Sequence, residues 1–293
     1  MRDKIIFCIC TKNRKKKLVE TLSSISNLSN LLDFKIETLI ISSDDKNYNE
    51  ILKKFKKELN IRFYQEKLVG ISDSRNKVLE ILRNKKFSYA SFFDDDCYVD
   101  KKWLKSMIEL IREKKIDIVS GPQISVSNNI YMKVLERHET HKLQIRWAST
   151  NNIIFRKKAI ENSFIFEKEL NQIGGEDQLF FLQLNKIGKR IIWNKKALVY
   201  ELRDKKRENF NWFFKRNLRY GASSNIIYKK LYGFAVGNFF IFFKILKDFT
   251  YSFIHLIKAI SLNKKDFFKS IMYITRVIGC LMGILRIQIK EYN

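Results

Sequence analysis

Three consecutive carboxylates, Asp94-Asp95-Asp96, follow directly on the apolar pair Phe92-Phe93. Like charges this close repel unless a cation or hydrogen-bond donors neutralise them. A hard divalent ion does so through oxygen ligands and keeps positions open for substrate phosphates. The other reading is a solvated acidic turn ahead of the helix near Trp103. A second acidic pair, Glu176-Asp177, follows Gly174-Gly175 and precedes Leu179, Phe180, Phe181, Leu182 and Leu184. An ionised Asp on a glycine-flanked loop suits a general base for a hydroxyl, and acids in a first helical turn are also ordinary helix-start chemistry. Gly70-Ile71-Ser72-Asp73-Ser74-Arg75-Asn76 offers Arg75, whose fork matches a diphosphate or sits on a helix surface. Asn151 and Asn152, ahead of Arg156, bond a sugar or form a turn.

These residues need a scaffold, and the first 120 residues alternate between two periodicities. Compact apolar runs at Ile5–Cys10, Thr38–Ile41, Ile61–Tyr64, Tyr89–Phe93 and Ile116–Val119 read as strands. Between them, helical spacing runs through Leu18–Leu28, Ile51–Leu59, Ser72–Leu82 and Trp103–Ile111. Strands alternating with amphipathic helices imply a mostly parallel α/β sheet covered on both faces. Asp94–Asp96 then lie beyond the carboxyl end of a strand, where open α/β sheets bind ligands. Further on, Ser149–Phe155 reads as a strand, Gln178–Leu184 as a short helix, and Arg190–Trp193 and Ala197–Tyr200 as paired or successive strands.

The 293-residue chain is 45% hydrophobic and 14% aromatic, has one proline, Pro122, and carries a formal net charge of +26. That excludes wholesale disorder and fibrous architectures. A field of this sign favours nucleic acid, anionic membrane or phosphorylated substrates, although lysine-rich composition also follows from AT-rich coding. Residues 1–202 carry 39 basic and 26 acidic side chains and residues 203–293 carry 18 and 5, so each part contributes +13. Cys8 and Cys10 lie two apart in a strand and point to one face, and no cysteine has a zinc-type spacing to histidine. A reducing compartment fits. Ile5–Cys10 is too short for a signal-peptide core, so the expectation is a protein that is not exported.

After about Arg203 aromatics crowd in and apolar runs lengthen. Leu231–Phe243 is uncharged across 13 residues, and Phe249–Ile257 and Val277–Leu285 across nine each. None reaches the roughly 20 apolar residues of a transmembrane span. Trp212, Phe213 and Phe214 stand with Lys215, Arg216 and Arg219 at helical spacing, a mixture that suits helices in a lipid headgroup region. The other readings are a helical core, a homodimer face, or aromatics stacking on single-stranded nucleic acid. Runs such as Phe239-Phe240-Ile241-Phe242-Phe243 speak against a solvated groove. The expected division is a catalytic domain at 1–202 and a basic helical region at 203–293.

Taken in order, Thr11-Lys12-Asn13-Arg14 after the first strand, Gly70 through Asn76, Asp94-Asp95-Asp96, Asn151-Asn152 with Arg156, Gly175-Glu176-Asp177 and Gly188 through Tyr200 resemble the family 2 glycosyltransferases over about residues 4–220. The resemblance implies the GT-A fold, a Rossmann-like, mostly parallel sheet, here followed by amphipathic and hydrophobic C-terminal helices. By position, Asp94 matches the first acid of the family's DxD motif, near the ribose, and Asp96 the second, holding Mg²⁺ or Mn²⁺ on the donor diphosphate. Asp95, Thr11, Asn13 and Arg75 fall among the donor-binding residues. Asp177 matches the base that deprotonates an acceptor hydroxyl, giving inversion, with Glu176 and Asn152 toward the acceptor or in the loops around it. The family's nucleobase-reading Asp follows the second strand; here Ser42-Ser43-Asp44-Asp45 stands there, with Asp44 or a serine as the candidate. Where the family often has His after the last core strand, Tyr200 is followed by Glu201.

The resemblance thus implies sugar transfer from a nucleotide-sugar donor to a glycan or lipid-linked acceptor, in bacterial surface polysaccharide synthesis. The basic, aromatic-rich residues 203–293 add the expectation of an anionic membrane surface as partner, no nucleic acid, and a place on the cytoplasmic side of the inner membrane, peripheral or monotopic. The rival classes are a nucleic-acid-binding or metal-dependent nuclease protein and a transferase-like scaffold without activity.

Overall fold

A computed structural model of the chain describes residues 2–68, 70–113, 115–202, 204–261 and 263–287. Arg203, where the basic region was expected to open, lies outside the described residues. The chain forms two compact units. The first comprises residues 1–126, 137–168 and 180–202; the second comprises 127–136, 169–179 and 203–293.

In the first unit, β1 (Lys4–Thr11), α1 (Lys15–Ser26), β2 (Lys35–Ser42), α2 (Asn49–Leu59), β3 (Ile61–Gln65), α3 (Ile71–Arg83) and β4 (Tyr89–Asp94) follow in alternation. β5 (Cys97–Val99), α4 (Trp103–Ile111), β6 (Ile118–Ser120) and β7 (Gln123–Ser125) come next. In the second unit lies α5 (Ile130–Leu135). β8 (Gln144–Ile145) and β9 (Ile153–Arg156) return to the first unit, followed by α6 (Glu176–Lys186), whose opening turn is assigned to the second. β10 (Ile191–Trp193) and β11 (Val199–Glu201) complete the first unit.

The main sheet has eight strands in the order β3-β2-β1-β4-β9-β6-β10-β8. β1, β2, β3 and β4 pair in parallel, as do β6 and β10, while β9 runs antiparallel between β4 and β6. The unbroken apolar run of β1 follows from burial on both faces. Ile5, Phe7 and Ile9 pack with α1, α2 and α4, whereas Ile6 and Cys8 pack with α3 and α6. Cys8 and Cys10 do share a face, and all four cysteines are free thiols.

Several sequence readings are corrected. The strand read at Ser149–Phe155 starts only at Ile153, because the Asn152 side chain turns into the core and its bonds replace a ladder. Of the two readings for Arg190–Trp193 and Ala197–Tyr200, the structure has successive strands and not a pair: β10 joins the main sheet, and β11 lies between β5 and β7 in a three-stranded sheet that periodicity does not reveal. Those strands are three residues each, too short to carry an alternation signal.

The second unit is helical: α7 (Phe210–Tyr232), α8 (Phe234–Ala259) and α9 (Lys264–Ile284) pack on one another, with α5 against α9. Asn209 caps α7 through Trp212 N–H, and Asn263 caps α9 through Lys265 N–H and Asp266 N–H. Among the described residues, α9 is long and apolar enough to cross a membrane by length and composition, with a mean hydropathy of 1.4 over its best window. Counting uninterrupted runs had excluded any such segment. The window reaches across Arg276, which a run count treats as a stop.

Candidate active site

The carboxyl ends of β1, β2 and β4 bring the first set of chemical residues together. β1 ends in Thr11 and enters a tight turn in which Asn13 adopts φ 60°, a left-handed conformation Asn tolerates. The turn is held from β2's side by Asp44. Its Oδ2 accepts from Asn13 N–H at 2.6 Å and from the Tyr48 hydroxyl at 2.8 Å, and Oδ1 accepts from Lys46 N–H at 2.9 Å. Burial alone would raise this carboxyl, but the bonds from Asn13, Lys46, Tyr48 and Ser42 outweigh it and hold Asp44 below the usual range. Asp44 therefore organises the loop beyond β2 as an ionised acceptor.

β4 delivers the acidic triplet. Thr11 Oγ1 donates to Asp95 Oδ2 at 2.8 Å inside the unit. Arg14 Nη1 reaches both Asp95 Oδ1, at 3.0 Å, and Asp96 Oδ2, at 3.1 Å. Lys17 Nζ stands 3.9 Å from Asp96 Oδ2 and donates to the Leu202 carbonyl at 2.8 Å. On the other flank Arg75 Nη2 lies 3.7 Å from Asp94 Oδ1, with its guanidinium over the Phe166 ring at 5.7 Å. Arg75 is buried although it opens helix α3, which sets it apart from a surface Arg.

Charge here is only partly balanced. Desolvation pushes Asp94 up to about 7; Arg75 opposes this, and Asp96, Glu201 and Asp95 reinforce it. Asp96 is raised by desolvation as well, with Arg14 and Lys17 opposing and Glu201 and Asp95 adding. Glu201 was not among the candidates read from the sequence. β11 pairs it with Cys97, and the Leu202 N–H donates to the Asp96 carbonyl at 2.8 Å, so this buried carboxylate is carried to the acidic turn. Arg14 was likewise only part of a motif. The signal available for both was their place directly after predicted strands. Burial, opposed by Arg75, pushes the Cys10 thiol up to about 12, which keeps it inert beside the site.

Among the described residues, no three Asp, Glu, His or Cys side chains converge tightly enough to hold a metal ion by themselves. The donors on hand are the carboxylate oxygens of the acidic turn, where desolvation and neighbouring carboxylates raise Asp94 and Asp96 against the opposing Arg75 and Arg14. One or two such carboxylates, with diphosphate oxygens and water completing the shell, is the set a hard divalent cation takes. The residues fit that group, and Asp96 would hold it with Asp94 beside it.

Asn152 is fully buried: its Nδ2 donates to the Pro122 and Ala197 carbonyls, each at 2.8 Å, and its Oδ1 accepts from Trp103 Nε1 at 2.7 Å. The structure thus makes Asn152 an internal clamp rather than a sugar contact. Arg156 Nε donates to the Ile116 carbonyl at 3.0 Å, and its Nη2 donates to the Ile111 carbonyl at the end of α4. Glu176 and Asp177 open α6 in the second unit; Glu176 is buried, and Asp177 is partly exposed with Oδ1 accepting from Gln178 N–H at 2.7 Å. The preceding Gly175 has φ 99°, and a Cβ there would meet Ile227 Cδ1 at 3.0 Å and Ser223 Oγ at 3.2 Å. A surface cavity of about 750 Å³ is lined by Lys4, Lys35 and Phe87 at the amino ends of the strands, away from these residues.

The family model described as "Glycosyl transferase family 2" matches residues 6–192, well over half the chain. The chain belongs to glycosyl transferase family 2. Among curated relatives of this glycosyl transferase, chondroitin synthase of Escherichia coli is 25% identical over 228 residues, covering 64% of this chain and 33% of that protein. The chain thus spans about a third of that relative's length. The succinoglycan biosynthesis protein ExoM of Rhizobium meliloti (strain 1021) is 26% identical over 239 residues, 77% of this chain and 75% of that protein. Among solved structures, the mannosyltransferase PcManGT from Pyrobaculum calidifontis, in complex with GDP-Man and Mn²⁺, aligns over 98% of this chain and 88% of its own with a TM-score of 0.65 at 12% identity. That likeness is one of fold, and it is the GT-A arrangement that the motif order implied.

Proposed function

We propose that the chain transfers a sugar from a nucleotide-sugar donor to a hydroxyl of a glycan or lipid-linked acceptor, as a step in polysaccharide synthesis. The observation that carries this reading is the acidic turn of Asp94 and Asp96 at the carboxyl end of β4, flanked by Arg75 and Arg14, inside a family 2 chain. Residues 1–202 form the catalytic part and residues 203–293 the membrane-associating part.

In this reading Thr11 and Asn13 shape the nucleotide pocket, with Asp44 fixing its loop. Asp95 is spent on Thr11 and Arg14, which holds the acidic turn in place. Asp96, with Asp94 beside it, would hold Mg²⁺ or Mn²⁺, which would supply charge neutralisation for the departing diphosphate. Arg75 offers a cation to the same phosphates. Asp177 accepts the proton of the acceptor hydroxyl as its oxygen bonds to the anomeric carbon. The bond from that carbon to the diphosphate breaks, the electron pair leaves with the nucleoside diphosphate, and the anomeric centre inverts. The names of the relatives, two of them makers of polysaccharides, support a glycan acceptor, and the aromatic, basic C-terminal helices support a lipid surface nearby. The cytoplasmic side of the inner membrane is where nucleotide sugars are available.

The test is a panel of nucleotide sugars with Mg²⁺, Mn²⁺ or chelator, read as release of nucleoside diphosphate. Cation-dependent turnover of one donor is the expected result. Absence of turnover across the panel, with lipid and glycan acceptors supplied, overturns the reading.

A further inference from the structure

Helix α8 is built inside out. Its 26 residues bury Gly237, Ile241, Asp248 and Ser252 and expose Phe239, Phe242, Phe249, Phe253, Leu256 and Ile257, with Phe239 and Phe253 each 60% accessible. A soluble amphipathic helix does the reverse, turning its apolar stripe to the core.

The inward face is polar and paired. Lys244 Nζ lies 2.5 Å from Asp248 Oδ2, and both side chains are largely withdrawn from solvent. Ser252 Oγ donates to the Ser270 carbonyl of α9 at 3.0 Å, and His255 Nδ1 lies 2.7 Å from Asp266 Oδ1. Arg276 Nε donates to Asn217 Oδ1 of α7 at 3.1 Å, and Asn225 Nδ2 donates to the Cys280 carbonyl at 3.0 Å. Backbones approach closely: a Cβ at Gly279 would sit 2.1 Å from the Leu218 carbonyl oxygen, and one at Gly283 would sit 2.7 Å from that of Ala222. Gly279 and Gly283 are four apart, so they present one bare stripe of α9 to α7. Small residues at helix contacts, interhelical polar bonds and apolar side chains outward together are the packing used where the surrounding medium is lipid.

We propose that α8 and α9 enter the hydrocarbon of a bilayer as an inside-out hairpin, with the Lys244–Asp248 pair shielded within the helical unit and the phenylalanines of α8 against acyl chains. This rests on the membrane-docking reading above and deepens it, replacing helices that lie among headgroups with helices that leave water. The occupant of the apolar face is lipid rather than a second copy, because the exposed side chains surround α8 on every side but the packed stripe. Lysines cluster at both ends of the hairpin, Lys229 and Lys230 at one and Lys258, Lys264 and Lys265 at the other, complementing anionic headgroups. At about 1.5 Å per residue α8 is roughly 39 Å long. Its exposed mid-helix Lys247, whose ammonium lies over the Tyr251 ring at 5.6 Å, divides the Phe-rich outward face into two halves that enter the hydrocarbon while the Lys247 stem reaches toward water.

The full-length chain and its Phe239→Trp and Phe253→Trp variants, both at outward positions, are mixed with vesicles of phosphatidylcholine and phosphatidylglycerol. Matching vesicles carry bromine on the acyl chains. The expected result is retention through high salt and alkaline carbonate, with extra quenching of both added tryptophans relative to the unsubstituted chain. Release by salt with no added quenching overturns insertion and leaves surface docking standing. Failure to bind any vesicle, with self-association in solution, overturns both.

Discussion

Arg75 stands 3.7 Å from Asp94, close enough to oppose the carboxyl's desolvation and too far to cancel it. The residual imbalance makes Asp94 a titrating group near neutrality, pushed up to about 7 from an ordinary 3.8. A carboxyl whose folded value is raised binds more protons in the folded state between those two pH values, so its contribution to stability is present at low pH and is lost as pH rises through about 7. Asp94→Asn removes that term. Urea unfolding across this pH range is expected to show the variant gaining on the wild type as pH rises, in the absence of divalent cation.

Asp96→Ala leaves Arg14 paired with Asp95, so the turn retains a partner for its cation. The expected result is loss of cation-stimulated donor turnover to background with an unchanged circular dichroism spectrum. Undiminished turnover with Mn²⁺ would remove Asp96 from the ligand set.

Asp177→Asn keeps the shape at the start of α6 and removes the base. Donor binding, measured by calorimetry, is expected to persist, while transfer falls by roughly 10²–10⁴-fold, the range of general-base contributions. Transfer near the wild-type rate would assign the base to another residue.

Asn152→Ala removes the partner of the Trp103 indole N–H and of the Ala197 carbonyl in the core, and leaves the Pro122 carbonyl only its bond from Val199 N–H. The expected cost is about 3–5 kcal/mol in denaturant unfolding. KM for the acceptor is expected to be unchanged in whatever fraction folds, since the side chain does not reach solvent.

Asp248→Leu leaves the Lys244 ammonium without its carboxylate inside the helical unit and is expected to destabilise it by about 3–5 kcal/mol. The double substitution Lys244→Met with Asp248→Leu is expected to recover most of that loss. A double variant as unstable as the single would show that the charges serve something beyond pairing.

Much of the catalytic unit was legible in the chain itself. Strands buried on both faces write themselves as apolar runs, and helices as recurring leucines and isoleucines, so β1 through β4 and the helices between them follow from local pattern. The place of Asp94–Asp96 after β4 follows as well, because a carboxylate run after such a strand falls where open sheets bind ligands. Asn152 misled because an amide in a polar stretch looks the same whether it meets solvent or closes a core.

Tertiary structure alone decided what local spacing does not encode. Glu201 joins Asp94 and Asp96 only because β11 pairs with β5, a contact between strands about 100 residues apart. Arg14 bridges Asp95 and Asp96 across a separation of more than 80 residues. The inside-out character of α8 is equally hidden: Phe, Lys, Asp and Ser at helical spacing specify a helix, but which stripe is turned inward depends on what α7 and α9 offer it. Sequence determines which elements form, since propensity and periodicity are local. Charge balance and exposure belong to neighbours brought together by the fold, at the acidic turn as at the C-terminal helices.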